Sequence, residues 1–220
     1  MTAGEPLAAA PSVPAWLREL AAAAKTMEIP LLTAPPDGSG KPSAVLILFA
    51  DGPGGPDLLF IQRSQELRLH AGQPAFPGGS IDAGEGPVEA ALREAAEEVG
   101  VDPDGVEVVG TLPELYIPRT GFRVVPVLGW WRQPSAVAPV DAGEVAAVER
   151  VGVAELADPA VRLMVRVPDG RTTPAFRVRG MLIWGFTAGL VDRLLALAGW
   201  EKPWDTARVT DLVNVADTPR

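Results

Sequence analysis

The sequence predicts a single α/β sandwich. Three observations carry that reading: short β-prone apolar runs joined by dense turn formers, a helix bracketed by Pro87 and Gly100, and an apolar stretch after Gly180 that reads as a closing helix. The sequence shows no internal repeat and no linker long enough to divide it. The expected organisation is a disordered Ala- and Pro-rich lead over residues 1–14, then one domain over residues 15–220.

The elements follow in order. "SAVLILFADGPGGPDLLFIQR" holds two apolar runs separated by Asp51-Gly52-Pro53-Gly54-Gly55-Pro56-Asp57, which predicts a hairpin with a loop longer than the tightest type. "LREAAEEVG" predicts a helix that starts near Gly86-Pro87, since Pro is tolerated in a first turn, and ends at Gly100, which suits the residue just past a helix. "GVEVVGTLPEL" and "FRVVPVLGWW" predict further strands, and "EVAAVERVGVAEL" a strand running into a short helix. "PAVRLMVRV" and "PAFRVRG" predict a second hairpin around Pro168-Asp169-Gly170. "MLIWGFTAGLVDRLLALAGW" is interrupted by Asp192 and Arg193, charges that a membrane span tolerates poorly. It therefore predicts a largely buried helix and no membrane partner. The segments around Trp130-Trp131 and Trp184 fit either core or interface, which leaves a homodimer open.

Composition excludes several function classes. The chain of 220 residues has no cysteine, so disulfides, thiol catalysis and cysteine-bound metals are ruled out. That usage fits a reducing cytosol, and with an N-terminus lacking the pattern of a secretory signal it makes a cytoplasmic location the expectation. A net charge of −9 does not draw in a nucleic-acid backbone, so no nucleic-acid partner is expected. A small polyanionic substrate would need its repulsion offset locally, and a divalent cation is the obvious means.

The region "HAGQPAFPGGSIDAGEGPVEAALREAAEEVGV" concentrates the chemistry. Glu94, Glu97 and Glu98 stand at i, i+3 and i+4, on one face of the predicted helix, where like charges repel. Such a run is either a solvated acidic face or a metal site, because hard cations take carboxylate, water and phosphate oxygens. Context favours the site. Gly78-Gly79, Glu85 and Arg93 lie upstream, and a glycine-rich loop feeding a helix N-terminus favours anions.

The stretch resembles the Nudix box, G-x5-E-x7-R-E-U-x-E-E-x-G-U, where U is a bulky aliphatic residue. Gly79, Glu85, Arg93-Glu94, Glu97-Glu98 and Gly100-Val101 occupy the fixed positions, and Ala95 stands, smaller than usual, at the first U. The resemblance implies an α/β/α sandwich with a mixed sheet and a loop–helix–loop catalytic motif. It implies hydrolysis of a nucleoside diphosphate linked to another moiety, with Mg²⁺ or Mn²⁺. By that match Glu94, Glu97 and Glu98 are metal ligands, Glu85 an accessory ligand or structural acid, and Arg93 the residue that holds the glutamates. The general base is then Glu94, Glu98 or, outside the box, Glu144. Family members often carry such a glutamate after the central strands; by itself Glu144 reads equally well as a loop acid.

Just before the box, "LFIQRSQELRLHAGQPAFPGG" is similar to the signature of the coenzyme A pyrophosphatase branch, roughly L-L-T-x-R-[SA]-x3-R-x3-G-x3-F-P-G-G. Arg63, Ser64, Arg68, Gly72 and Phe76-Pro77-Gly78-Gly79 match, with Phe60 and Ile61 replacing Leu and Thr, and the lone His70 sits where that branch commonly has one. Arg63 and Arg68 alone could cover a sheet edge or pair with acids such as Glu66. With the signature, Arg63, Ser64, Arg68, His70, Gly78 and Gly79 are expected to bind substrate, since arginine's planar fork suits phosphate. Coenzyme A, or a thioester of it, is the expected substrate. ADP-ribose, NADH, dinucleoside polyphosphates and oxidised nucleoside triphosphates are the alternatives, and a non-catalytic nucleotide-binding module is the remaining class.

Overall fold

The computed structural model describes residues 12–29, 38–67 and 70–212. Arg68, residues 1–11 of the expected lead and residues 213–220 lie outside the described residues. The chain runs α1 (Ala15–Ala24), β1 (Lys41–Gly52), β2 (Gly55–Arg63), β3 (Pro74–Ala75), β4 (Gly78–Ser80) and α2 (Pro87–Val99). After a 3-10 turn at Pro103–Gly105 come β5 (Val106–Thr111), β6 (Leu115–Ile117), β7 (Phe122–Trp131), β8 (Val145–Gly152) and α3 (Val153–Leu156). The last part holds β9 (Arg162–Arg166), β10 (Thr172–Val178), β11 (Met181–Ile183), α4 (Gly185–Leu197) and β12 (Val209–Asp211).

The main sheet follows the order β3-β2-β1-β7-β5 and is mixed, with β1 parallel to β7 and the other pairs antiparallel. β4 pairs with the first half of β1, β6 with β7, and β8 with β2. Side-chain alternation along β1 splits the interior in two. Ala44, Leu46, Leu48 and Ala50 pack with Ala90, Ala91, Ala95 and Val99 of α2. Ile47 and Phe49 face the other way, into a cluster with Leu17 and Leu20 of α1 and Leu190, Val191 and Leu194 of α4. Helices thus cover both faces of the mixed sheet, the expected α/β/α sandwich. A second sheet, β11-β10-β9-β12, adds to the α4 side.

Several expectations are revised. The first hairpin has a two-residue loop: Gly52 pairs with Gly55 across Pro53-Gly54, because Gly55 adopts φ 102 and lets pairing run to the tip. The stretch after Gly180 opens with β11 before the helix starts at Gly185. Val13, assigned to the lead, is 6% exposed and belongs to the core. Trp130 and Trp131 are buried in the core, one on each side of the sheet, which excludes them from any interface.

Candidate active site

The double glycine sits in β4, seven residues short of α2, and lies against the body of the helix. The helix itself begins at Pro87 behind an N-cap Gly86. Both glycines answer close approaches. At Gly78, φ 154, a Cβ would stand 2.3 Å from the Ala44 carbonyl oxygen on β1. At Gly79 it would stand 2.4 Å from the Glu94 carboxylate. Successive turns of α2 therefore press Glu94 onto Gly79 and Glu98 onto Gly78, whose N–H donates to Glu98 Oε2 at 3.0 Å.

Arg93 organises the remaining acids. Its Nε and Nη2 donate to the two Glu85 oxygens at 2.9 and 3.0 Å, and its Nη1 donates to Glu94 Oε1 and Glu97 Oε2, both at 3.0 Å. Nη2 also reaches the Ser80 carbonyl at 3.0 Å, which fastens the helix to β4. The bond to Glu85 raises the Arg93 pKa above its ordinary value. It also lowers that of Glu85, which accepts the Asp82 N–H besides. Burial raises the Glu94 pKa, opposed by Arg93. Glu98, 7% exposed, is pushed up to about 7 by burial, against the pull of the Gly78 N–H and Arg63 and with added repulsion from Glu94 and Glu144.

Arg63 closes the other side. Its Nη1 lies 3.7 Å from Glu98 Oε1, so its ionic partner is Glu98 and not Glu66. Its buried Nε has no hydrogen-bond partner among the described residues. Register brings Glu144 to the same place: Val145 pairs with Arg63, and the Ser64 N–H donates to the Glu144 carbonyl at 2.8 Å. The loop acid of the sequence thus stands at the site. Ser64, 5% exposed, organises a loop: its hydroxyl accepts the Glu66 N–H and its carbonyl the Gly72 N–H. His70 lies on that loop, half-buried, with Nδ1 2.7 Å from Gln73 Oε1. Gln73, Ser80 and Asp82 were not among the expected site residues. Their parts are played through backbone groups and one local side-chain bond, which leave no spacing signature.

Among the described residues no three acids stand grouped around a common point, and Glu97, 62% exposed at its side chain, bonds Arg93. The donor chemistry nonetheless fits a hard divalent cation. Glu94 and Glu98 are oxygen donors, the charge of Glu94 disfavouring the ionisation of Glu98, and Glu97 lies within reach of the same guanidinium as Glu94.

The NUDIX domain model matches residues 40–176, which contain this whole arrangement. The chain belongs to the Nudix family. Among curated relatives, an uncharacterized Nudix hydrolase named NudL from Citrobacter koseri is 39% identical over 152 residues, covering 66% of this chain and 76% of that one. A NudL from Shigella boydii serotype 4, also uncharacterized, is 40% identical over 169 residues, covering 73% and 84%. The crystal structure of the M. smegmatis Nudix hydrolase RenU shares the fold, with TM-score 0.52 at 22% identity over 75% of this chain and 89% of that one. As a Nudix hydrolase the chain is a pyrophosphohydrolase acting on a nucleoside diphosphate derivative, in a family that generally uses divalent metal ions. No helix of the described residues is long and apolar enough to cross a membrane.

Proposed function

We propose that this Nudix hydrolase cleaves the diphosphate of coenzyme A, or of a thioester of it, releasing 3′,5′-adenosine bisphosphate and the 4′-phosphopantetheine part. The observation that carries the reading is the position of Arg63: a cation beside Glu98, with a buried N–H that has no partner among the described residues, at the root of the loop bearing His70. A substrate with a 3′-phosphate in addition to its diphosphate needs such extra positive groups near the acids. Arg68 lies in the same loop by sequence.

Glu94, Glu97 and Glu98 would hold Mg²⁺ or Mn²⁺, with Glu85 accessory, and the cation would supply charge neutralisation at the diphosphate. Arg93 keeps the acids in place, and Arg63 and His70 bind and orient the anionic substrate. Water attacks one phosphorus as its proton passes to a carboxylate oxygen. The bridging P–O bond breaks, and its electron pair leaves on the departing phosphate. Glu144 is the base in this reading: Ser64 pins its backbone, and it stands clear of the Arg93 network. Glu94 and Glu98 remain the alternatives for that role.

The test is a panel of coenzyme A, acetyl-coenzyme A, ADP-ribose, NADH, diadenosine polyphosphates and oxidised nucleoside triphosphates, run with Mg²⁺ or Mn²⁺ in oxygen-18 water and read by mass spectrometry. Coenzyme A is expected to be cut fastest, with one heavy oxygen in one product, and Glu98→Gln to abolish turnover. Faster cleavage of ADP-ribose or another panel member would overturn the substrate. Turnover that survives in Glu98→Gln would overturn the roles of the box acids.

A further inference from the structure

His70 is the only histidine in the chain, and its backbone sits at φ 58, a left-handed conformation that side-chain-bearing residues hold only when their surroundings enforce it. Gln73 does the enforcing. Its backbone N–H donates to the His70 carbonyl at 3.1 Å, and its side-chain Oε1 lies 2.7 Å from His70 Nδ1. Gln73 is itself anchored to the end of β2, where its carbonyl accepts the Arg63 N–H at 3.1 Å. The neighbouring Gly72 carbonyl accepts from Gln62 Nε2 at 3.4 Å. The two-bond ring of His70 and Gln73 is therefore fixed to the residue that faces Glu98.

With the Gln73 amide oxygen facing the ring as acceptor, Nδ1 carries the hydrogen of this bond. The partner of one ring nitrogen decides the state of the other. Among the described residues nothing bonds Nε2. We infer that Gln73 is a positioning residue for His70: its side-chain oxygen takes the Nδ1 hydrogen and so leaves Nε2 for the substrate, where it donates to an anionic group when the ring carries both hydrogens. The inference rests on the proposed coenzyme A reading only for the identity of that substrate.

Because the chain has one histidine, a long-range proton–nitrogen spectrum of uniformly nitrogen-15-labelled protein shows one imidazole. Once the spectrum shows the neutral ring, the wild type is expected to have Nδ1 protonated and Nε2 bare. Gln73→Leu is expected to return the ring to Nε2–H, the usual form of a free histidine. Gln73→Glu keeps an acceptor and should keep Nδ1–H, which guards against reading a folding defect as a result. With coenzyme A, Gln73→Leu and His70→Asn should each raise KM about tenfold with kcat nearly unchanged, the size of one lost bond to a charged group. The double variant should be no worse than either single one. A neutral wild-type ring protonated at Nε2, or additive effects in the double variant, would overturn the inference. Should coenzyme A prove inert and another nucleoside diphosphate derivative be cut, the substrate reading falls alone; the tautomer, and additivity measured on that substrate, still decide the role of Gln73.

Discussion

Glu98 loses most of its water to burial while the Gly78 N–H and the Arg63 guanidinium favour its charge, and the balance raises its pKa from an ordinary 4.5 to about 7. An acid raised in the folded state binds its proton more tightly there than in the unfolded chain. Its contribution to stability is fully present below 4.5 and is lost as pH climbs through 7. Chelated protein should therefore melt at a lower temperature at pH 8 than at pH 5. The rise from 4.5 to about 7 sets a ceiling of about 3 kcal/mol on the part due to Glu98. Differential scanning calorimetry of wild type and Glu98→Gln checks this: the variant should show a shallower slope, and equal slopes would contradict the balance described. Added Mg²⁺ should stabilise more at pH 8 than at pH 5, because a cation binds the ionised carboxylate. A second test at this scale is Gly79→Ala, whose Cβ would stand 2.4 Å from the Glu94 carboxylate. Displacing Glu94 by about an ångström should cost activity about 100-fold while the protein stays folded by circular dichroism. The acids and Arg93 were legible because helical period fixes their neighbours. The Gly78–Glu98 bond and the Gln73–His70 pair were not, since each depends on which groups the folded strands bring within reach.

At the scale of elements, α2 sits close to the sheet because its inner face is small: Ala90, Ala91 and Ala95 are each fully buried against β1 and its neighbours. That closeness is what lets Glu94 and Glu98 touch the two glycines. A larger residue at position 95 would lift the helix. Ala95→Leu should thus destabilise the fold by about 1–3 kcal/mol, even though the family pattern has a bulky aliphatic residue there. Urea unfolding would show it as a lower midpoint with the slope unchanged. The boundaries of α2 were legible from Pro87 and Gly100, which occupy N1 and the left-handed position at φ 75. The register that carries Glu144 to Arg63 was not, because it depends on the pairing of β2 with β8, far apart in sequence. Helix α1 went unassigned although Leu17, Leu20, Ala21 and Ala24 follow helical spacing after Pro14; its short run of alanines resembles the Ala-rich lead before it.

Across the whole molecule, one buried charge ties β9 of the second sheet to α4 and to the C-terminal segment, beside the apolar packing of β10 and β11 in the core. Arg162, at the start of β9, has a fully buried side chain, bonds Asp192 of α4, and donates to Glu201 at 3.0 Å. Its guanidinium stacks 4.3 Å from the Trp204 ring and 5.3 Å from that of Phe176. β12 pairs with β9 just beyond this cluster, and a strand of three residues whose partner lies 45 residues upstream leaves little trace in sequence. Removing the cation strands Asp192, whose pKa burial already raises, and frees the segment that Trp204 and Glu201 fasten. Arg162→Ala should cost about 3 kcal/mol, because an ion pair broken on one side leaves an uncompensated charge that is partly buried. The same substitution should leave kcat of the folded fraction unchanged, since this cluster lies on the face of the main sheet opposite α2. Hydrogen exchange separates this picture from a general loss of stability. The β12 amides should lose protection by local opening, while those of β1 and α2 exchange only through global unfolding. Uniform loss across all of these amides would show that Arg162 supports the fold as a whole and does not anchor the C-terminal segment in particular.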